Sequence, residues 1–382
     1  MSTLEPCAQR LERNKGAVMS RAEAIVEILH PDRFRSLWTA KIPWHHDAVV
    51  MHQGTSWHAA GLVTSAEQRQ SLQSVFDSLY PDGRRMTDVR AWDTEQGSVV
   101  VEWRDTGRLA NGHSYTNGGA MLVEYEGELV IRLSNFTNTA LLETVETEWY
   151  DGLPIDLLLH IPAFHTIDLP TLSWRPYPPS AVCAIRSSQP REFAQPLTNE
   201  DRIHRRYNAR HLFKDIPKDQ YYEMSPDGYV EFSGTSWHLA GHNTREVLAD
   251  NSEAGEKVFS TVFQEETFGF SHMGTWSTYG DRWVFMEWIS ESQLRRGGQF
   301  RNHGLTLLHF DDDHCVAEHR EYTNVAYLEN VQDDVLDHVD KEAFAAYSCS
   351  KTWGNKPTTW SPLPIPAESG AVADRSKARA TA

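Results

Sequence analysis

The chain has 382 residues, of which 40% are apolar and 23% are charged, a composition typical of a folded protein with two or three domains. Its net charge of −17 argues against the clustered basic surface that binding to nucleic-acid phosphates or to an anionic membrane requires. We therefore expect no nucleic-acid partner and no membrane partner.

The cysteines and the N-terminal residues bear on the cellular compartment. Four cysteines lie far apart, at positions 7, 183, 315 and 349, and none belongs to a CxxC pair. This spacing favours reduced thiols over a disulfide framework or a zinc site. No apolar core of a secretory signal and no run of about 18 apolar residues occurs, so we expect a cytoplasmic protein.

The first half of the sequence predicts a helix, a strand, a second helix and then a series of strands. A helix is expected over residues 21–29, a short strand over 48–52 and another helix over roughly 65–79. Longer strands, rich in β-branched and aromatic residues, are expected at 98–103, 114–125 and 129–137. Helices followed by antiparallel strands indicate an α+β fold.

The second half predicts the same elements in the same order. A helix that begins after a Thr198 N-cap is expected over 199–213, followed by a strand over 229–232 and a helix over 246–263. The later strands are expected at 282–289, 299–310 and 315–323.

The two halves also share short sequence segments. Residues 54–61, GTSWHAAG, recur as residues 234–241, GTSWHLAG, and Glu102-Trp103 recurs as Glu287-Trp288. The offset between matching residues drifts only from 180 to 186, a period that is typical of a duplicated domain and too long for a solenoid. The further matched pairs are Asn117 with Asn302 and Asn138 with Asn324.

These patterns divide the chain into five segments. We expect an N-terminal extension over 1–19, a first domain over 20–150, a proline-rich extended connector over 151–197, a second domain over 198–348 and a partly disordered tail over 349–382.

One segment of the second half resembles a known family. Residues 299–324 contain a Phe-x-Asn-His strand, a turn and a strand that ends Arg-Glu-Tyr-Thr-Asn. The pattern resembles the phenazine-biosynthesis proteins of the A/B type, within the SnoaL-like, nuclear-transport-factor-2-like superfamily. The resemblance covers most of 198–331 and, more weakly, 20–145. It implies two tandem cone-shaped, cystatin-like α+β barrels, in which a curved antiparallel sheet wraps around helices and leaves a hydrophobic pocket.

The resemblance also implies cofactor-free acid–base chemistry. The functional Glu of the phenazine-type proteins matches Glu321, and the same position in the first half is Asn135, which implies a degenerate first domain. The other acid–base residue of that family, a His, has no match in either half. This departure argues against the specific phenazine reaction.

The alternation of side chains along a strand gives a separate reason to select Glu321. Side chains alternate between the two faces of a strand, so His319 and Glu321 share one face, while the equivalent face of the first half offers Leu133 and Asn135 and no residue that ionises. A carboxyl group in an apolar pocket has a raised pKa and can act as an acid or base near neutral pH. We therefore predict Glu321 as general acid/base and His319 as its partner. The alternative is a surface salt link on an exposed sheet face.

The remaining candidates are expected to shape a substrate pocket. Each also has a structural interpretation: the tryptophans as core or cavity-wall aromatics, the histidines as turn residues, and the asparagines as bridges between strands. The predicted substrate-binding residues are Trp237, His238, Asn302, Trp288, Trp57, His58, Tyr115, Asn117 and Asn135.

A metal site is not expected. His45, His46, Asp47, His52 and His58 cluster in the sequence, but no fixed metal-binding spacing occurs and adjacent histidines on a strand point in opposite directions. No phosphate-binding glycine loop is present either, so we expect neither a metal nor an organic cofactor.

Three functional hypotheses remain open at this point. The first is a cofactor-independent lyase, isomerase or cyclase that acts on a hydrophobic cyclic or aromatic molecule in the second domain, with the first domain paired to it as an intrachain pseudo-dimer. The second is a non-catalytic small-molecule-binding or scaffolding protein. In the third, the first domain is the active one and uses Tyr115, His52 or His58. Further oligomerisation also stays open.

Overall fold

The computed structural model describes residues 19–29, 42–54, 61–63, 73, 76–77, 79–110, 112–142, 198–208, 224–234, 237, 239–264, 267–326 and 328–329. The predicted connector, the C-terminal tail and nearly all of the N-terminal extension lie outside these residues. In chain order the elements are α1 Arg21–Ile28, β1 Trp44–His52, β2 Gly61–Val63, β3 Arg84–Asp93, β4 Val99–Arg108, β5 Ser114–Glu126, β6 Leu129–Thr137, α2 Asn199–Asn208, β7 Met224–Phe232, β8 Gly241–Thr244, α3 Arg245–Val262, β9 Gly269–Ser277, β10 Trp283–Gln293, β11 Gln299–Phe310 and β12 Val316–Thr323.

The strands form two six-stranded sheets with the same order. The first sheet runs β2-β1-β6-β5-β4-β3 and the second runs β8-β7-β12-β11-β10-β9. Neighbouring strands are antiparallel except that β1 pairs parallel with β6, and β7 pairs parallel with β12. The α+β class is therefore confirmed, while the described strands form open sheets, and closure into cones stays a prediction. Sequence analysis did not predict β2, β3, β8 or β9.

Two of the described helices begin directly after a residue that caps them. Ser20 caps α1 in a capping box with Glu23, and Thr244 caps α3 by accepting a hydrogen bond from the backbone amide of Val247. The predicted helix over 65–79 lies largely outside the described residues, although positions 73, 76, 77 and 79 are helical. Among the described residues, we find no helix with the length and apolar character needed to cross a membrane.

The two sheets pack against each other through one face, which we call the interface face. Trp92 of β3 lies 4.7 Å from Trp283 and 5.2 Å from Phe285, both on β10, between ring centroids. Phe136 of β6 packs edge-on against His303 of β11, with 4.9 Å between centroids. Apolar residues of both sheets therefore belong to one buried cluster.

Two glutamates are buried within this interface among arginines. Glu102 Oε2 accepts a 2.6 Å hydrogen bond from Arg90 Nε, and Glu102 Oε1 lies 3.3 Å from a guanidinium nitrogen of Arg320 on the other sheet. Burial raises the pKa of Glu102, but the arginines outweigh it and hold the pKa well below its ordinary value. Glu287, at the matching position of β10, is bound by both terminal nitrogens of Arg132 on β6 at 2.8 Å. Each sheet thus buries a carboxylate that the other sheet helps to neutralise.

The opposite face of each sheet, which we call the outer face, carries those predicted site residues that lie on described strands. Ile203 of α2 packs there in a buried cluster with Trp288 and Leu308, and Leu248 of α3 packs against a cluster that contains Phe232. The outer face of the second sheet therefore packs against both of the helices described in this half, α2 and α3.

Candidate functional site

His319 and Glu321 lie on the outer face of β12, as the alternation of strand residues predicts. Glu318, Arg320 and Tyr322 point the other way, into the interface. The distance from His319 Nε2 to Glu321 Oε2 is 3.5 Å. This is within ion-pair range but longer than a typical hydrogen bond.

The two side chains differ in their access to solvent. The side chain of His319 is fully buried, whereas that of Glu321 is 17% exposed. The Glu321 carboxyl is therefore largely shielded from bulk water but still accessible. A carboxyl group that is mostly enclosed but still reachable can exchange a proton with a bound molecule, and the buried imidazole behind it can share that proton.

The surroundings of this pair are largely apolar. The cross-strand neighbours of His319 are Leu308 on β11 and Val230 on β7, which belong to two different buried clusters. The neighbours of Glu321 are Thr306 and Phe232, and the Phe232 ring lies 5.8 Å from the His319 ring. The pair is therefore held between two hydrophobic clusters on the outer face.

The predicted tryptophans line the same region. Trp237 is 5% exposed, packs edge-on against Phe232 at 5.1 Å between centroids, and donates through Nε1 to the Ser233 carbonyl at 2.8 Å. Trp288 is 4% exposed and donates through Nε1 to Thr306 Oγ1 at 2.8 Å. Both are buried aromatics with satisfied indole groups, and a role in lining a substrate pocket stays a prediction. Trp57, His58 and His238 lie outside the described residues.

The two predicted asparagines of the central strands make contacts with the backbone. Asn302 donates to the Asn324 carbonyl at 3.3 Å and accepts from the His303 amide at 2.8 Å. Asn117 donates to the Asn138 carbonyl at 3.3 Å and accepts from the Gly118 amide at 2.8 Å. These equivalent contacts favour the bridging interpretation, and ligand binding by either residue stays a prediction.

The outer face of the first sheet contains an ionisable group where sequence analysis expected none. His52, at the end of β1, is fully buried, and its Nδ1 lies 3.2 Å from Asn135 Nδ2. The statement that this face offers no ionisable residue was therefore wrong, because it considered β6 alone. Parallel pairing of β1 with β6 places His52 directly beside Asn135.

A second ionisable group was missed altogether. Asp105 is fully buried on β4, and its Oδ2 lies 3.1 Å from a guanidinium nitrogen of Arg84. Burial raises the pKa of Asp105, and Arg84 partly counteracts this effect. Tyr115, which is 1% exposed, accepts from Asn117 Nδ2 at 2.8 Å nearby, and burial raises its pKa above the ordinary value. The sequence could have indicated Asp105, because it lies two residues after Trp103 and therefore shares the same face of the strand.

One group of side chains has the donor types of a metal site. The ligand atoms of His45, His46 and Asp47 lie within 4.8 Å of one another, and the two imidazole rings are 4.1 Å apart. The argument that adjacent histidines point apart is therefore wrong at this position, because the rings approach each other. The side chains of His46 and Asp47 are 78% and 76% exposed, and the absence of a metal site stays a prediction.

Comparison with known proteins finds similarity to solved structures. No family model and no curated protein matches the chain. A protein with a cystatin-like fold from Xanthomonas campestris is 17% identical over 36% of this chain and 98% of its own, with a TM-score of 0.28. A protein described as a SnoaL-like polyketide cyclase, from Jannaschia, is 19% identical over 36% of this chain and 100% of its own, with a TM-score of 0.25.

A third similar structure has a ketosteroid isomerase-like fold and comes from Catenulispora acidiphila. It is 10% identical over 32% of this chain and 85% of its own, with a TM-score of 0.25. Similarity at these identities and TM-scores does not support assigning the role of any residue in these proteins to a residue of this chain.

Proposed function

We propose that the chain is a cofactor-independent acid–base enzyme, of lyase, isomerase or cyclase type, that acts on a hydrophobic cyclic or aromatic small molecule. Its site lies on the outer face of the second sheet. Glu321 takes or gives the proton that moves during the reaction, and His319 holds or shares it. Trp288, Trp237 and Phe232 form the apolar wall against which the substrate packs.

The observation that carries this proposal is the pairing of a buried imidazole with a partly exposed carboxyl at 3.5 Å, among aromatic side chains. Proton transfer to or from carbon needs a base that reaches the substrate while water is largely excluded. Glu321 fits this requirement because its side chain is 17% exposed and its two strand neighbours are Thr306 and Phe232. The aromatic residues favour a flat or cyclic substrate.

We further propose that the two halves are tandem domains and that the first supports the second as a fused pseudo-dimer. The identical strand orders and the equivalent contacts of Asn117 and Asn302 support the duplication. The ion pair between Arg132 and Glu287 joins the sheets and supports the pairing.

Deuterium exchange at carbon tests this function. The full chain is incubated in D₂O with cyclohexanone, 1-indanone and 2-tetralone, and incorporation next to the carbonyl is followed by mass spectrometry. We expect accelerated exchange for one or more of these ketones, and a loss of roughly 10²–10⁴-fold in Glu321→Gln, because the amide cannot act as a base. His319→Leu, which copies Leu133 of the first half, should lose part of the rate.

The matched control is Glu128→Gln, since the Glu128 side chain is 88% exposed and lies on the first half. It should exchange at the wild-type rate. A folded Glu321→Gln protein that retains the full rate would rule out the assigned general base.

A second candidate is a non-catalytic small-molecule-binding protein. The residues at the ends of β6 and β12 favour it. Asn138 and Asn324 are neutral amides that cannot act as a base, and both make contacts within the protein. Asn138 donates to the Gly234 carbonyl at 3.2 Å, and Asn324 accepts from Thr139 at 3.0 Å. Binding without exchange of any of the three ketones, and with equal affinity in Glu321→Gln, would favour this function.

A further inference from the structure

The outer face of the first sheet contains buried polar atoms that the described residues do not satisfy. Trp103 of β4 is 4% exposed, and its indole Nε1 has no hydrogen-bond acceptor among the described residues. Asn135 Oδ1 is also buried and has no donor among them. Burying a donor or an acceptor without a partner is unfavourable, so such atoms identify positions where a bound molecule gains affinity.

The second sheet shows how the same indole group can be satisfied. Trp288 occupies the position equivalent to Trp103, and its Nε1 donates to Thr306 Oγ1 at 2.8 Å. Trp288 pairs with Gly304 and Trp103 pairs with Gly119, so the residue two positions further along the strand is Thr306 in one sheet and Met121 in the other. A thioether is a weak acceptor, so the exchange of threonine for methionine removes the internal partner.

The two unsatisfied atoms lie on either side of Met121. The indole of Trp103 extends over Gly119, since a Cβ atom added to that glycine would be 2.8 Å from Trp103 Cζ2. Met121 pairs across the strands with Asn135. The strands that carry Trp103 and Asn135 are separated only by β5, which corresponds to a backbone distance of about 10 Å.

The contact with His52 sets the orientation of the Asn135 amide. Asn135 Nδ2 lies 3.2 Å from His52 Nδ1, so the amide directs its nitrogen to the imidazole and leaves Oδ1 as the acceptor. The side chains between the two polar atoms are apolar and nearly buried: Met121 is 7% exposed, and Leu133, which shares the face, is 2% exposed. The site therefore combines one donor, one acceptor and an apolar floor.

We propose that the outer face of the first sheet binds a small apolar ring compound that carries a neutral hydroxyl group. The hydroxyl oxygen accepts a hydrogen bond from Trp103 Nε1, and its proton is donated to Asn135 Oδ1. A hydroxyl is the simplest group that is both acceptor and donor, and the ring packs on Met121 and Leu133. This second ligand site does not depend on the function proposed for Glu321.

Phenol and toluene are suitable probes, because they have the same shape and differ in the hydroxyl group. The full chain is labelled with ¹⁵N at the tryptophan indoles, and the Trp103 signal is assigned by its loss in Trp103→Phe. We expect phenol to shift the Trp103 signal in a saturable manner. Toluene should bind more weakly by about 2- to 10-fold, the contribution of a typical hydrogen bond.

Two variants test whether phenol binds between Trp103 and Asn135. Met121→Thr copies the second sheet and supplies an internal acceptor, so the affinity for phenol read from the Trp103 signal should fall by about 2- to 10-fold. Asn135→Leu removes the other partner and should have a similar effect. Trp288→Phe is the matched control in the second sheet and should leave that affinity unchanged. The proposal is overturned if phenol does not shift the Trp103 signal, or if toluene shifts it with equal affinity.

Discussion

The Tyr322 hydroxyl donates a 2.6 Å hydrogen bond to Glu102 Oε1, although the two residues belong to different sheets and lie 220 positions apart. The same hydroxyl accepts from a guanidinium nitrogen of Arg104 at 2.9 Å. Burial raises the pKa of Tyr322 above its ordinary value, so the hydroxyl stays protonated and remains a donor at neutral pH. One uncharged group thus completes a buried cluster of charges.

Tyr322→Phe should therefore destabilise the chain although the ring is retained. Loss of a buried hydrogen bond to a charged group typically costs about 1.5–3 kcal/mol, and we expect that decrease in the free energy of unfolding measured with urea. Tyr279→Phe is the matched control, because Tyr279 is 77% exposed, and it should change stability by less than about 0.5 kcal/mol. Equal stability of the two variants would contradict the role given to the hydroxyl.

Breaking the ion pair between Arg132 and Glu287 should have a larger effect. Both partners are almost fully buried and form two parallel bonds of 2.8 Å, and Glu124 also binds Arg132. Arg132→Met leaves a buried carboxylate without its cation, so we expect a loss of about 3–5 kcal/mol in urea unfolding. In the double variant Arg132→Met/Glu287→Met, much of this loss should be recovered, since the fully buried carboxylate is removed together with its cation, and Glu124, which also loses its partner, is 23% exposed.

A surface pair provides the comparison for that series. Arg282 contacts Asp312, and their side chains are 61% and 86% exposed. Exposed ion pairs contribute little, so Arg282→Met should change the unfolding free energy by less than about 1 kcal/mol. A double variant at positions 132 and 287 that is as unstable as the single variant would contradict the account given for the buried pair.

Stability should decrease as the pH falls, in two separate ranges. Burial lowers the pKa of His303 below its ordinary 6.5, despite its 2.8 Å contact with Glu287. The unfolded chain therefore binds a proton first, and stability is lost as the pH falls below 6.5 toward the folded pKa. Burial raises the pKa of Glu287, but Arg132 and His303 outweigh it and lower the pKa from 4.5 to about 2. A second loss is therefore expected between pH 4.5 and about 2.

His303→Gln separates the first range from the contributions of the other histidines. The difference in unfolding free energy between the wild type and this variant should change between pH 7 and pH 5, with the wild type losing more stability. A difference that stays constant over that range would show that His303 is equally protonated in the folded and unfolded states.

Gly304 should not tolerate a side chain. A Cβ atom there would be 2.2 Å from Trp288 Cζ2, so Gly304→Ala must displace the indole and weaken its hydrogen bond to Thr306. Overpacking of this kind typically costs about 1–3 kcal/mol, measurable by urea unfolding. Gly269→Ala is the control, because no atom lies within 4 Å of the added Cβ, and it should be nearly neutral. Similar stability of both variants would show that the indole moves aside freely.

Local features of the fold were predictable from the sequence, because they depend on neighbouring residues. Alternation along β12 predicted that His319 and Glu321 share a face, and Thr198 and Ser20 precede helices as capping residues do. The repeated Glu-Trp dipeptide also has a simple explanation: the glutamate faces the other sheet and the tryptophan lies on the outer face. The dipeptide was recognised as a repeat, but its two environments were not predicted.

Features that depend on strand pairing over long distances were not predictable. His52 lies beside Asn135 only because β1 runs parallel to β6, and the two residues are 83 positions apart. Arg132 and Glu287 are 155 positions apart and meet only when the sheets pack. Neither periodicity nor composition contains this information, so the sequence indicated a degenerate first half where the structure places His52 and Asp105.

The shared charge cluster has a consequence for the evolution of the chain. Glu102 in one half depends on Arg320 and Tyr322 in the other, so a substitution in either half alters the selection acting on its counterpart. The two halves can diverge on their outer faces, which carry different side chains, but their facing surfaces must change together. An alignment of relatives should accordingly show covariation between positions 102 and 320 and between 132 and 287.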